Sequence, residues 1–523
     1  MKLSKREVLV APLVAALGLQ AAARAEGTSA EAGGEGTGLD ARPGPFNSSV
    51  ASLETYRTPD WFRDAKFGIW SHWGPQAVPR QGDWYARWLY VPGHPHYDHH
   101  VKTYGHPSKL GYKDIIPLWK AERFDPEALM DKYAAAGAKY FVSMGVHHDN
   151  FDLWNSKHHR WNAVAMGPKR DIVGAWKAAA KKRGLRFGVS EHLGASYNWW
   201  YPNHLYDQFW DETWSRMGVD YDGADPRYAD LYHDNRDEPY KGTPQTWYTK
   251  NPAFHRRWFQ RIRDLVDSYQ PDLLYSDGGV PFGDVGRTMV AHLYNSSIAR
   301  SGKLEAVYAH KGMGSGEFLP KAGVQDVERG VLEGINPLVW QTDSSNADWF
   351  FNEKHPFKTG AQVIGMLADI VAKNGNLLLN ITQYPDGSLP PQSEELLTQL
   401  AAWMKVNSEA IHGTRPWKTY GEGPTNVKAG AFEESGDYTA QDIRFTTKKD
   451  ALYAIVLGWP QGDSAIQSLG SNALPGAVIE RIDLLGGPKL QFRRDSDALK
   501  LRLPAAHDNA LIPTLRIRGR GLV

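Results

Sequence analysis

Four short apolar runs in this chain end on groups that can move protons, bind hydroxyls or attack an electrophile. The ends read Ser71-His72-Trp73-Gly74, Gly145-Val146-His147-His148-Asp149-Asn150, Ser190-Glu191-His192 and Ser276-Asp277-Gly278-Gly279. One such end is no more than a loop cap. Four of them, with Trp73, Trp84 and Trp154 nearby, describe a polar pocket with aromatic walls. Aromatics are abundant throughout, with 20 Trp, 24 Tyr and 18 Phe among 523 residues. Most of that mass packs cores. Flat rings also stack on the C–H faces of sugars, which makes a carbohydrate one class of ligand. The competing chemistry is a metal held by His147, His148 and Asp149. Adjacent residues of a strand face opposite ways, which counts against it, and no separated His pair at helical spacing supports it. No metal and no cofactor is expected.

The elements that position these groups alternate. From about Tyr56 to Gly413, strands are expected at Lys66–Ser71, Lys139–Met144, Arg186–Ser190, Leu273–Ser276, Ala306–Ala309, Leu338–Gln341 and Asn376–Ile381. Helices carry start and stop signals. Asp125-Pro126 opens one that Gly137 closes, and Asp171 opens another that Gly184 closes. Asn251-Pro252 opens a third ending before Pro271, and a fourth runs through Gln362–Lys373. Strands alternating with helices imply a parallel sheet, and seven or so repeats favour a closed (β/α)8-like barrel, an α/β fold. Barrel enzymes work at the C-terminal ends of their strands, where the four polar clusters stand. After Gly413 short runs at Asp442–Thr447, Leu452–Leu457, Lys489–Phe492, Leu499–Leu503 and Thr514–Arg518 are separated by turn signals, which predicts an antiparallel β-sandwich. The expected division is a signal segment at 1–25, a flexible leader at 26–50, the barrel at 51–417 and the sandwich at 418–523.

Composition narrows the function classes. The 60 Lys+Arg and 59 Asp+Glu leave a net charge of +1, so no basic excess exists for binding nucleic acid through its phosphates. Cysteine is absent, which excludes disulfides, thiolate metal sites and a cysteine nucleophile. Lys2, Lys5 and Arg6 precede an apolar run from Val8 to Leu19, too short to span a bilayer, and Ala23-Arg24-Ala25 fits a cleavage site. Export to a periplasm or the exterior is expected, with the mature chain starting near Glu26 and no membrane anchor.

Several blocks resemble the α-L-fucosidases of glycoside hydrolase family 29. They are Trp61-Phe62-Arg63-Asp64-Ala65-Lys66-Phe67-Gly68 running on to His72-Trp73-Gly74, His147-His148-Asp149 followed by Phe151, Pro168-Lys169-Arg170-Asp171, Gly375-Asn376-Leu377-Leu378-Leu379-Asn380, and Ser408-Glu409-Ala410-Ile411 followed by Gly413-Thr414-Arg415. The resemblance implies a retaining exo-glycosidase acting on an oligosaccharide or glycoconjugate, in which two carboxyl groups about 5–5.5 Å apart share the work. It puts Asp277 at the nucleophile's place. For the acid/base it favours Glu328, twelve residues before Trp340-Gln341-Thr342, over Glu333, Glu317 and Glu305. It implies hydroxyl contacts from His72, His147 and His148, with Trp73, Asp83, Trp84 and Trp340 also around the sugar. Three departures stand out. Asp83-Trp84-Tyr85 replaces the family's Glu-Trp-Tyr, Val146 and Asn150 replace the Lys and Gly flanking His-His-Asp, and Ser190-Glu191-His192 replaces a tyrosine-rich strand end. Glu191 or His192 would suit a hydroxyl where fucose presents a bare methyl, which admits L-galactose as an alternative sugar.

Overall fold

The computed structural model describes residues 39–204, 221–235, 246–434, 437–505 and 511–523. The expected signal segment and the start of the leader lie outside them. Eight parallel strands close into a barrel in sequence order: β1 (Phe67–Ser71), β2 (Tyr140–Val146), β3 (Arg186–Glu191), β4 (Leu273–Ser276), β5 (Val307–Lys311), β6 (Val324–Asp326), β7 (Trp340–Ser345) and β8 (Gly375–Asn380). Pairing of Phe67 with Leu377 through Trp70 with Asn380 makes the closure. Almost every strand residue is buried, because one face lines the barrel interior and the other is covered by helices.

Four of the six long outer helices begin at a side-chain cap. Asp125 accepts from the amides of Glu127 and Ala128 at the head of α1 (Pro126–Ala135). Asp171 accepts from Gly174 at the head of α2 (Ile172–Lys182), and Asn251 from Ala253 and Phe254 at the head of α3 (Pro252–Tyr269). Each such cap contributes about 1 kcal/mol. Three more helices complete the outer layer: α4 (Asp284–Ser301), α5 (Gly360–Ala372) and α6 (Pro391–Asn407). Part of the expected flexible leader is in fact docked. Asn295 on α4 donates to the carbonyls of Arg42 and Phe46. Among the described residues no helix is long and apolar enough to cross a membrane.

The C-terminal strands are β9 (Arg415–Glu422), β10 (Ile443–Lys448), β11 (Ala451–Val456), β12 (Asp463–Ile466), β13 (Val478–Leu484), β14 (Phe492–Arg494), β15 (Leu499–Arg502) and β16 (Thr514–Arg520). They form an antiparallel five-stranded sheet, ordered β13-β16-β11-β10-β9, and a three-stranded sheet, β12-β15-β14. Since β9 starts at Arg415, the expected division at 417/418 falls inside its first strand. Side-chain alternation gives the large sheet two buried faces. Leu452, Ala454 and Val456 of β11 pack inside the sandwich, while Ala451, Tyr453 and Ile455 join the barrel's apolar cluster. At this seam Arg444 of β10 pairs with Asp369 of α5 at 2.5 Å, and Lys373 reaches the same carboxylate at 2.9 Å.

Candidate active site

The C-terminal ends of the barrel strands open into a cavity of about 480 Å3. His72 follows β1, His147 and His148 follow β2, His192 follows β3, Asp277 follows β4, Lys311 ends β5, and Glu328 stands two residues past β6. All of them line the cavity, with Trp70, Asp83, Trp84, Trp247, Tyr248, Asp343, Asp348, Trp349 and Phe432. The pleat of β2 stops at Val146, so strand alternation no longer separates His147 from His148, and both face the same space.

One ammonium organises the acids. Lys311 Nζ lies 2.7 Å from Asp277 Oδ1, donates to Glu328 Oε2, and stands 3.6 Å from Asp343 Oδ2. A shared donor keeps the nearest oxygens of Asp277 and Glu328 within two hydrogen-bond lengths of each other. That upper limit makes them close neighbours, as the carboxyl groups of a retaining pair, about 5–5.5 Å apart, must be. The second oxygen of Asp277 sits 3.1 Å from both His148 Nε2 and His192 Nδ1. Burial pushes Asp277 up, but Lys311 first and the two imidazoles with it outweigh burial and hold its carboxyl well below the usual range. Glu328 goes the other way, to about 7: burial raises it, Lys311 opposes, and Asp343 and Asp277 add to the rise. One ammonium faces several carboxyl groups, Asp326 among them, which favours protons being kept in the cluster, and the opposite shifts of Asp277 and Glu328 split that pair into an ionised and a protonated member.

The imidazoles form a neutral crescent. Ring centroids of His72, His147 and His192 lie 4.9–5.3 Å apart. Burial, then the neighbouring rings, push His72 and His147 well below the usual imidazole range; burial also lowers His192. A neutral imidazole offers one donor and one acceptor, which suits a hydroxyl. His72 Nδ1, His192 Nε2 and Asp83 Oδ1 are buried with no hydrogen-bond partner among the described residues. Such atoms cost free energy unless a ligand satisfies them, so three of them around one cavity describe a site for a polyol. Burial first, then Asp348, raises Asp83 well above the carboxylate range, so it too can donate. One nitrogen from each of His72, His147 and His192 lies within 4.8 Å of the others, so these three rings have the spacing to ligate a metal. Asp149, the carboxylate of the competing metal reading, accepts from Tyr112 Oη at 2.5 Å and from the amide of Phe151.

The α-L-fucosidase family model matches residues 37–409, and the model of its C-terminal domain matches 436–518. The chain belongs to the α-L-fucosidase family. Human plasma alpha-L-fucosidase is 29% identical over 480 residues, covering 88% of each chain. Mouse tissue alpha-L-fucosidase is 27% identical over 457 residues, covering 85% of this chain and 87% of its own. Among solved structures, the alpha-fucosidase of Thermotoga maritima in complex with fucose superposes with a TM-score of 0.66 at 26% identity, over 90% of this chain and 99% of that one.

Within this fucosidase the structure brings together most residues that the sequence nominated, but Trp73, Trp154, Glu191 and Trp340 lie elsewhere; Trp154, expected in the pocket wall, is buried in the core and donates to Asp264 Oδ2 at 3.1 Å. Glu191 is the last residue of β3 and points outward, accepting from Trp258 Nε1 of α3 at 3.1 Å and from the amide of Gly194. It is not among the cavity-lining residues, and the hydroxyl contact expected of it has no geometry behind it. Its neighbour His192 enters the cavity instead and stacks on Trp70. Trp73 turns into the core against Trp119 and Phe124, donating to the carbonyl of Tyr384. Trp340 starts β7 at the far end of the barrel and donates to the carbonyl of Lys373. The rival acids are also away from the cavity. Both oxygens of Glu317 are held by Arg287, Glu305 pairs with Arg186 and Lys303 at the start of β5, and Glu333 is exposed. Lys311 was missed because one lysine after a short apolar run reads as a solvated end.

Proposed function

We propose that this α-L-fucosidase releases terminal α-L-fucose with retention of configuration, Asp277 acting as nucleophile and Glu328 as acid/base. The observation that carries this reading is the Lys311 ammonium shared by the two carboxyl groups. Asp277 is held ionised and aimed from the end of β4, ready to attack the anomeric carbon. Protonated Glu328 gives its proton to the departing glycosidic oxygen as the bond breaks, leaving a fucosyl ester on Asp277. Glu328, now a base, takes a proton from water. The water attacks the anomeric carbon and frees Asp277, and two inversions restore the configuration. The neutral imidazoles of His72, His147 and His192 supply donors and acceptors for the ring hydroxyls, and Trp70, Trp84 and Trp349 supply apolar wall.

Asp277→Ala tests the core of this reading. kcat on an aryl α-L-fucoside should fall by about four orders of magnitude. Added azide should restore turnover and yield the inverted fucosyl azide. Near-normal hydrolysis by the variant would overturn the assignment. The basic start, the apolar run from Val8 to Leu19 and Ala23-Arg24-Ala25 support export. Expression of the full chain with an N-terminal sequence determination should find a mature start near Glu26; a retained Met1 in the folded product would refute export.

A further inference from the structure

The rim of the cavity carries a residue that folding alone does not explain. Phe432 is 59% exposed, and its backbone sits at φ +60°, a region bulky side chains seldom adopt. An exposed aromatic in a disfavoured backbone state points to a task other than packing. Phe432 lies on the connection from β9 to β10, so the C-terminal sheet supplies it to the barrel's cavity. The segment falls between the stretches 37–409 and 436–518 that the family models match, so membership of the family assigns it no role.

Its attachment locates it. The amide of Phe432 donates to the carbonyl of Glu328 at 2.8 Å, Gly430 to Val331 at 2.9 Å and Glu434 to Arg329 at 2.9 Å. The Glu434 carboxylate is pinned by Lys358 at 2.8 Å and by Ser344 Oγ at 2.6 Å. The strap is thus fastened to the very loop that carries Glu328. The carboxyl that protonates the leaving oxygen must face the leaving group. Phe432, whose amide is bonded to that residue's own carbonyl, presents an exposed apolar ring to the same cavity.

We propose that Phe432 forms the leaving-group subsite: a platform, lent by the C-terminal sheet, on which the pyranose ring next to fucose stacks through its C–H face. Met313, 40% exposed on the loop after β5, adds a second apolar surface to the same rim. The inference rests on Glu328 being the acid/base.

The test compares two substrates that need the same proton but differ in bulk: an α-L-fucosyl-galactose disaccharide and methyl α-L-fucoside. Both leave as alcohols that need the proton from Glu328, and only the disaccharide presents a ring to Phe432. In Phe432→Ala the ratio of kcat/KM, disaccharide over methyl fucoside, should fall by about tenfold or more, the scale of an apolar contact. Phe432→Gly relieves the backbone and should show the same fall with no loss of thermal stability, while Phe432→Trp should keep the ratio. A ratio unmoved in Phe432→Ala and Phe432→Gly overturns the proposal. So does an equal loss on both substrates, which would make the ring a prop for Glu328. Failure of the wild type to hydrolyse either fucoside would strike the assigned activity instead.

Discussion

At the seam between barrel and sandwich, one carboxylate sits between two cations. Asp369 takes Arg444 and Lys373, and those cations also lie over the ring of Tyr420. At the mouth of the barrel the ratio is reversed, with one cation, Lys311, among Asp277, Glu328 and Asp343. The seam is fully buried and the cavity cluster partly open, with the Asp277 and Glu328 side chains 21% and 17% exposed, but both are built from the same kinds of side chain. The seam has no anion in excess, so every charge there can be fixed and the cluster holds two layers together. The cavity has anions in excess, so a proton must stay, and it stays on a group that can give it up. An excess of anions, together with an opening to the cavity, separates the reactive cluster from the structural one.

That contrast can be broken at either end. The largest effect is expected at the seam. Asp369→Ala leaves Arg444 and Lys373 buried without their carboxylate, which should cost about 3–5 kcal/mol of stability. The apparent Tm should drop, while the folded fraction keeps its specific activity; an unchanged Tm would show the seam to be idle. Lys311→Met removes the one cation that lines the cavity among the described residues. Asp277 then loses its largest stabiliser, and kcat/KM of the folded fraction should fall by about 10²–10³; the carboxyl groups left without their cation should lower the apparent Tm as well. A loss under tenfold would mean that His148 and His192 suffice to keep Asp277 ionised.

The proton itself gives the next measurement. Glu328 must be protonated to act as acid, and its carboxyl stands near pH 7. Activity on a disaccharide should therefore fall as pH rises through about 7, approaching tenfold per unit beyond it. Glu328→Gln should abolish that limb along with most activity, and a limb surviving in the variant would move the proton elsewhere. The smallest effect belongs to a pair with neither burial nor imbalance. Lys132 and Glu394 meet at 2.5 Å with side chains 42% and 40% exposed, joining α1 to α6. Lys132→Ala should shift stability by only about 0.2–1 kcal/mol. A larger loss, measured by denaturant titration, would contradict the view that burial sets the scale.

Seven of the eight barrel strands were legible because each is an apolar run bounded by helix signals. β6 was not: Val324–Asp326 is three residues long, too short to show a pattern. α4 escaped because it is buried on most sides and has no polar stripe against which an apolar face could be read. In the sandwich, β9, β12 and β13 were missed, their outward residues being mostly polar or exposed. At the site, histidines and carboxylates at strand ends declared themselves by type and place. Direction was harder. Glu191 and His192 are neighbours, and only the side-chain alternation at the end of β3 sends one out and the other in. Trp340 misled because the working end of β7 is Ser345, five residues on. Trp247, Tyr248 and Phe432 come from connections far from any strand end, and nothing local in the sequence ties such residues to a cavity.

The strap over Glu328 bears on how this enzyme can be divided or recombined. A chain cut after the barrel's last helix would keep every carboxylate and imidazole of the cavity, yet the loop beneath the acid would lose three backbone hydrogen bonds and the Glu434 anchor. Exchanging the sandwich for that of a relative would bring a different β9–β10 connection to the same loop. Barrel and sandwich thus form a single unit of inheritance: new leaving-group preferences can arise in a segment that holds none of the reacting groups, but only if the backbone bonds to residues 328–331 are preserved.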